Sequence, residues 1–219
     1  MTGMRNLILL AILFGSLILP ASGQSKDISK AEYDKAFNFA VSETNAQFPF
    51  LFKVSVNDYE NGHVKATQDS IDERETAGAE RMSEIVTEGD KRTTSFEVRT
   101  GFSQVYCSSD GKSWTGPQRY ECGGPRRLYG PRNPESASYG VTTAKLGDKN
   151  VRLYREYVVY PAAQNSRRGF SEKISTIDSR GYFIKIEGTE GLLDPQEITL
   201  TRLQTWDLTT KFPPVIAPK

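Results

Sequence analysis

Histidine, cysteine and an excess of charge of one sign are what this sequence lacks. Its 219 residues include one His and two Cys, and 28 Lys+Arg stand against 27 Asp+Glu, for a formal net charge of +1. A balanced charge provides no long-range field for a nucleic-acid backbone, so we expect no nucleic-acid partner. One His and two Cys are too few for an ordinary zinc site, and we expect neither a metal nor a cofactor.

The sequence signatures of common enzymes are also missing. It has no G-x-S-x-G elbow, no G-x-G-x-x-G, no Walker loop and no H-E-x-x-H. The carboxylates between Asp69 and Asp90 alternate with Arg and Lys, so cross-strand ion pairs explain them better than an acid–base pair or a calcium site. We therefore expect a protein that is not an enzyme. An exported hydrolase that uses His63 stays open as a minor alternative.

The first residues have the layout of a secretory signal peptide. Arg5 precedes an apolar run from Leu7 to Leu19, Pro20 interrupts it, and Ala21-Ser22-Gly23 resembles a cleavage site. The run is shorter than the ~20 residues that span a bilayer, and no later stretch is long and apolar enough to do so. We expect residues 1–23 to be removed near Gly23, leaving residues 24–219 as a single domain of a periplasmic or secreted bacterial protein with no transmembrane segment.

Export changes what the two cysteines predict. An even count in an oxidising compartment favours a disulfide between Cys107 and Cys122. Asp110-Gly111 lies between them and is typical of a two-residue hairpin turn. The spacing is not that of a C-x-x-C redox pair.

The remaining chain predicts one helix followed by many strands. Ser29 and Glu32 have capping-box spacing, and Tyr33, Ala36, Phe37, Ala40 and Val41 form an apolar stripe on a helix from Ser29 to Thr44. From Phe50 onward the apolar period is two, with turn signals about every ten residues, as in an antiparallel sheet. Residues 123–150 are rich in Gly, Pro and Arg and predict a long loop.

Aromatic and aliphatic side chains are abundant on the predicted strands. We expect a mainly β fold with one N-terminal helix, in which the helix covers the concave face of an incomplete, strongly curved antiparallel β-barrel. An ordinary filled core would use the same residue types, and that alternative stays open. The candidate ligand-binding residues are Phe37, Phe50, Phe52, Val54, Val98, Tyr106, Trp114, Leu153, Tyr157, Ile184 and Trp206.

The order of several short motifs resembles a known family. The motifs lie at residues 50–53, 73–75, 106–114, 147–155, 177–187 and 206–208, and the last runs into Val215-Ile216-Ala217-Pro218. They are similar to the "Y…dG.W", "G..v..Y" and "iD..G…K.e" patterns and the final "I..P" of the lipoprotein-carrier (LolA-like) superfamily of exported bacterial proteins. The resemblance implies a hemibarrel with a hydrophobic cavity for acyl chains. The chain departs from the family in having one clear helix and a cysteine pair in the "Y…dG.W" hairpin.

Together these features predict a non-catalytic carrier or binding protein for a lipophilic ligand, such as an acyl chain, a lipid or a lipidated protein. Arg126, Arg127 and Arg132 are candidates to receive an anionic head group. The alternative is an envelope protein–protein interaction or stress-sensing module with the same fold. A cavity between helix and sheet would favour a carrier, and an exposed apolar patch would favour an interaction module.

Cleavage near Gly23 is testable directly. Expression of the full sequence in a bacterium should yield a mature chain that begins at Gln24, because the polar residues after Gly23 end the signal peptide. Intact-mass measurement of the protein in the periplasmic fraction reads out the new N-terminus. A full-length chain retained with the membranes would contradict the prediction.

Overall fold

The computed structural model describes residues 25–101, 104–118, 122, 133–162 and 167–218. Its elements are β1 (Lys26–Asp27), α1 (Lys30–Asn45), β2 (Phe50–Glu60), β3 (His63–Thr76), β4 (Ala79–Glu88), β5 (Lys91–Thr100), β6 (Val105–Ser108), β7 (Thr115–Gln118), β8 (Ser136–Leu146), β9 (Lys149–Tyr160), β10 (Gly169–Asp178), β11 (Phe183–Leu192) and β12 (Glu197–Asp207). The predicted signal peptide lies outside the described residues. Within the described part, no helix has the length and apolarity of a membrane span.

The strands form one antiparallel sheet that is curved but not closed into a barrel. Its strand order is β1-β8-β9-β10-β11-β12-β2-β3-β4-β5-β6-β7, so β12 joins the two halves of the chain by pairing with β2. Register shifts occur within several strand pairs, for example at Thr176/Ile177 and at Arg74/Thr76, and such bulges bend and twist a sheet. The predicted fold class, a curved antiparallel sheet with one helix, is confirmed.

The predicted helix boundaries hold because the capping box forms. Ser29 is the N-cap: its hydroxyl accepts the Glu32 amide N–H at 3.2 Å, and its own N–H donates to the Glu32 carboxylate at 2.8 Å. The two bonds satisfy amide groups that a helix N-terminus otherwise leaves without partners. At the other end the Ala46 N–H donates to the Ser42 carbonyl.

Turn residues set the strand pairings. Asn61 and Gly62 have φ values of 51° and 77° and connect β2 to β3 as the two-residue loop that the sequence predicts. The turn after β6 is different from its prediction, since residues 109–114, rather than Asp110-Gly111 alone, link β6 to β7. The Asp110 carboxylate accepts the amide N–H groups of Lys112 and Ser113, both at 2.8 Å, and this side chain closes a longer loop.

The prediction of a loop over residues 123–150 is wrong for its second half. Ser136–Leu146 forms β8, which pairs along its length with β9, and Lys149–Tyr160 begins β9 two residues earlier than expected. β8 alternates Ala137, Tyr139 and Val141 with small or polar residues, but this alternation is short and ends at Val141. Its neighbour in the sheet, rather than its own sequence, determines its conformation.

The predicted disulfide between Cys107 and Cys122 is confirmed. Cys107 lies on β6 and Cys122 beyond β7, with their Cα atoms 5.7 Å apart. The Cys122 N–H also donates to the Glu97 carboxylate at 3.0 Å, so Cys122 is joined to β6 by the crosslink and to β5 by this hydrogen bond. A closed loop of this length contributes about 3 kcal/mol in the chain-entropy model.

The helix packs on one face of the sheet, which we call the helix face. Ala40 is fully buried against Ile177, Phe183 and Ile186, with Phe37, Tyr154 and Trp206 around this cluster. Val41, expected in the apolar stripe, is 37% exposed, and buried Thr44 takes its place. The Thr44 hydroxyl accepts the Phe183 amide N–H at 2.9 Å, at the bulge that interrupts β10–β11 pairing.

The opposite face of β3, β4 and β5 is covered by residues 208–218, which we call the tail. It forms no strand, as expected from its prolines. Val215 is its anchor: the side chain is buried, and its N–H donates to the Glu75 carboxylate at 2.8 Å. We call this side of the sheet the tail face.

Thr44→Val should destabilise the folded chain. Valine has nearly the same shape but no hydroxyl, so the Phe183 N–H would lose its acceptor in a buried site, at a cost of about 1–3 kcal/mol. Urea unfolding measures this free energy. Thr93→Val, at an exposed position of β5, is the matched control and should change the unfolding free energy by less than about 0.5 kcal/mol. Equal effects of the two substitutions would refute the role of Thr44.

Candidate functional site

The space directly beneath the helix is filled by side chains. The Phe183 ring lies between Phe37 and Trp206, with centroid distances of 5.2 Å and 5.1 Å. Phe52 extends the cluster, 4.8 Å from Trp206. These aromatic rings pack on one another under part of the helix, and a groove described below remains along one side of it.

An open apolar groove of about 630 Å³ lies instead on the tail face. We call it the tail groove. Its floor comes from β3, β4 and β5, one wall from the loop after β6, and its other wall from the tail. Its lining residues are Ile71, Glu73, Arg81, Met82, Ser83, Phe96, Val98, Gly111, Trp114, Val215, Ile216, Ala217 and Pro218.

Strand register explains why the floor is apolar. Ile71 lies opposite Ser83, Ser83 opposite Phe96, and Val98 opposite Arg81, so these side chains project to the same face. Val98 is 4% exposed, whereas Ile71 is 43% exposed and Ile216 is 70% exposed. The groove is therefore deep at Val98 and open to solvent between Ile71 and the tail.

One ion pair lies at the groove. Glu73 and Arg81 are opposite each other on β3 and β4, and the Arg81 Nε donates to the Glu73 carboxylate at 2.6 Å. Arg81 is partly exposed, with 38% of its side chain accessible. A guanidinium with free donors can bind a second carboxylate or a phosphate without giving up Glu73.

The loop after β6 positions Trp114 at the groove. Asp110 accepts backbone N–H groups from Lys112 and Ser113 and a hydroxyl hydrogen bond from Ser108, and these bonds lower the pKa of its carboxyl group to about 2. Gly111 lies on the Phe96 ring: a Cβ at this residue would be 3.4 Å from the ring, and its φ of 70° favours glycine. The loop therefore has a defined shape where it borders the groove.

The same three strands carry a polar cluster on their other face. Asp72 and Glu97 are buried there, Arg99 bonds Glu97 and Glu80 at 3.2 Å each, and the Arg74 Nε donates to Asp72 at 2.6 Å. Burial raises the pKa of the Asp72 carboxyl and of the Glu80 carboxyl, although the arginines oppose the shift. Much of the predicted charge pairing is present, but some of these ion pairs are buried and do not lie on a solvent-exposed face of the sheet.

The predicted binding residues fall into separate places. Val98 and Trp114 line the tail groove, and Tyr106 is the β6 neighbour of Val98. Phe37, Phe52 and Trp206 belong to the core beneath the helix. Phe50 is buried under the Arg74 guanidinium, and Val54 is opposite Gln204 on the helix face.

The other three predicted residues lie away from both the tail groove and the helix core. Leu153 and Tyr157 alternate with Tyr154 on β9 and so face the opposite side of the sheet, where Tyr157 stacks on Phe170 with ring centroids 6.0 Å apart. Ile184 is the residue that the β10–β11 bulge leaves without a register partner. The structure does not bring the predicted set into one cavity, and its ligand-binding role stays a prediction.

Sequence reasoning missed most of the tail groove. Ile71, Phe96 and the tail residues Val215 to Pro218 were not among the candidates. The signal available was the Val215-Ile216 pair in a proline-rich segment that cannot form a strand, since such apolar residues require another surface to cover them. The spacing of Phe96 and Val98, two residues apart on one strand, also places both on one face.

Four sequence candidates are not among the described residues that line this groove. Arg126, Arg127 and Arg132 lie outside the described residues. His63 is exposed at the β2–β3 turn and does not line the groove. Among the described residues, no group of three or more His, Cys, Asp or Glu is arranged to hold a metal ion.

Comparisons with protein-family models, with curated proteins and with solved structures give no match to this chain. Its resemblance to the lipoprotein carriers stays a prediction from motif order.

The depressed pKa of Asp110 predicts a pH dependence of stability. Because this pKa is lower in the folded chain than its ordinary value, the carboxylate stabilises the fold above about pH 4, and that contribution is lost as the pH falls toward 2. Asp110→Asn removes the titrating group. The difference in urea unfolding free energy between wild type and this variant should narrow from about pH 5 to about pH 2.

Ser109→Ala is the control for that measurement. It alters the same exposed loop but leaves every acceptor contact of Asp110 in place, so its difference from wild type should not depend on pH. A wild-type to Asp110→Asn difference that is constant over the range would contradict the role assigned to this carboxylate.

Proposed function

We propose that this chain is an exported, non-catalytic binding protein that holds the acyl chain of a lipophilic ligand in the tail groove. The observation that carries the proposal is an apolar groove of about 630 Å³ between the sheet and the tail. Its volume lies in the range of about 300–1,000 Å³ typical of small-molecule sites.

The lining supports a hydrocarbon ligand. Ile71, Phe96, Val98 and Trp114 present methyl and aromatic surface along the groove. Burial of such surface stabilises a complex by about 25 cal/mol per Å² of apolar area removed from water. Burial of this apolar surface would be enough to bind an acyl chain, and the proposed function requires no catalytic group.

Arg81 supports an anionic end on that ligand. Its guanidinium lies at the groove, is partly exposed and is held in place by Glu73. A carboxylate or phosphate head group beside Arg81 would gain a charge-assisted hydrogen bond while the acyl chain passes Val98 and follows the groove along Phe96 and Ile71. In this proposal Arg81 is a head-group residue in addition to Arg126, Arg127 and Arg132, whose predicted role stays a prediction.

The tail supports reversible binding. It belongs to no strand, and its buried anchor, Val215, neighbours an exposed Ile216. Displacement of Ile216, Ala217 and Pro218 would break no sheet hydrogen bonds, because these residues pair with none of the strands. A ligand can enter from this side without unfolding the sheet.

Tryptophan emission provides a direct test, because the chain has two tryptophans in different surroundings. Trp114 lines the groove, whereas Trp206 packs between Phe52 and Phe183. Titration with palmitate should change the emission of wild type and of Trp206→Phe, and the change should disappear in Trp114→Phe.

Ile216→Asp should weaken palmitate binding about tenfold, since it places a charge against the apolar chain.

The control for Ile216→Asp is Ile198→Asp on β12. Both isoleucines are exposed, at 70% and 39%, but Ile198 does not line the groove, and the palmitate affinity of Ile198→Asp should be unchanged.

Organic extraction of the mature chain purified from cells, followed by mass spectrometry, should also recover bound lipid. Failure to recover lipid together with an unchanged Trp114 emission would overturn the proposal.

A second candidate is a protein–protein interaction module, favoured by the exposed apolar side chains of Ile71 and Ile216 at the groove mouth. Here an apolar side chain of an envelope protein would occupy the groove in place of an acyl chain. A photo-crosslinking residue at position 216 distinguishes the two in cells. A defined protein adduct together with no palmitate response favours the second candidate, and a lipid adduct favours the first.

A further inference from the structure

A second groove, with a volume of about 820 Å³, runs along one side of the helix. We call it the side groove. One wall consists of α1 residues that include Lys35 and Phe39, and the other consists of the ends of β8, β9 and β10 and the β10–β11 turn. It lies on the helix face and is separate from the tail groove.

Three cations line the side groove, and two of them, Lys35 and Arg152, lie on different elements and away from the β10–β11 turn that carries Arg180. Lys35 lies one helical turn before Phe39 on α1. Arg152 is on β9, where its register partners are Thr143 of β8 and Ile177 of β10. The helix and the sheet therefore direct one positive charge each toward the same space.

The two carboxylates of the side groove accept hydrogen bonds, whereas Lys35 and Arg152 have no carboxylate partner among the described residues. Glu32 accepts the Ser29 N–H and hydroxyl, both at 2.8 Å. Asp178 accepts the Arg180 guanidinium at 2.8 Å and the Tyr182 N–H at 3.0 Å. Lys35 and Arg152 form no ion pair with any carboxylate in the described part of the chain. Three cations stand against two carboxylates in the lining, so the formal charge of the groove is +1.

An exposed aromatic side chain, that of Phe39, lies beside these charges. Phe39 is 55% exposed, which is unusual for a phenylalanine on a helix that packs against a sheet. Its ring lies on Gly181, where a Cβ would approach to 2.5 Å and φ is 96°. The turn thus accommodates the ring only with glycine at this position, and the exposed edge of Phe39 faces the groove.

From this arrangement we propose that the side groove binds a small organic anion, whose phosphate or carboxylate group contacts Lys35 and Arg152 while its apolar body packs on Phe39. Arginine and lysine supply several N–H donors to such an oxyanion. Contact with Phe39 would remove apolar surface of both molecules from water. The inference does not depend on the tail groove or on its ligand.

The test uses phenyl phosphate, which combines the two features, in isothermal titration of the purified chain. Phenyl phosphate should bind saturably and more tightly than inorganic phosphate, which lacks the apolar body, or benzyl alcohol, which lacks the charge. Arg152→Gln and Lys35→Gln should each weaken phenyl phosphate binding about tenfold. Phe39→Ala should weaken phenyl phosphate but leave inorganic phosphate unchanged.

Arg92→Gln is the matched control, because Arg92 is an exposed strand arginine far from the groove and also has no carboxylate partner among the described residues. It removes the same net charge and should leave phenyl phosphate affinity unchanged. Ile216→Asp should also leave it unchanged, which separates this site from the tail groove. Absence of saturable phenyl phosphate binding, or an equal loss in Arg92→Gln, would overturn the proposal.

Discussion

The two-residue alternation of side chains along one continuous sheet is the constraint on which the rest of this structure depends. Because the sheet is open and runs unbroken from β1 to β7, every strand must present one row of side chains to each face. Each face needs its own cover, since a bare apolar face would be exposed to water. The helix covers part of one face and the tail covers part of the other, so both grooves lie at the edges of these covers.

The helix face has an apolar half under the helix and a half toward β5 that carries charged side chains. Under the helix, Phe183 and its neighbours fill the interior, and the bulge beside Phe183 is completed by the Thr44 hydroxyl. Toward β5 the same face carries buried carboxylates with arginine partners, and the Cys122 backbone closes over Glu97. The apolar half can be covered by an amphipathic helix, whereas the charged half requires a segment that supplies hydrogen bonds. The disulfide fixes Cys122 at this place, and the Cys122 N–H supplies one such hydrogen bond.

Local signals in the sequence were sufficient for the elements but not for their long-range arrangement. The capping box at Ser29, the Asn61-Gly62 turn and the cysteine pair each act within a short stretch, and each was predictable. β8 was not, because its conformation depends on hydrogen bonds to β9 rather than on its own apolar pattern. The binding residues were the least predictable part. Tyr154 and Tyr157 belong to opposite faces of β9, and whether a face lies under the helix, under the tail or in water depends on pairings such as β12 with β2, which no local pattern specifies.

The attachment of the tail separates folding from the shape of the groove. Residues 208–218 form no backbone hydrogen bonds of the sheet, and apart from Val215 none of them is buried. Insertions, deletions or replacements beyond Val215 would change the length and chemistry of one wall while the sheet kept its full set of hydrogen bonds. This wall is therefore the part of the molecule that can vary most freely, and the same sheet could be adapted to ligands of different size at little cost to its stability.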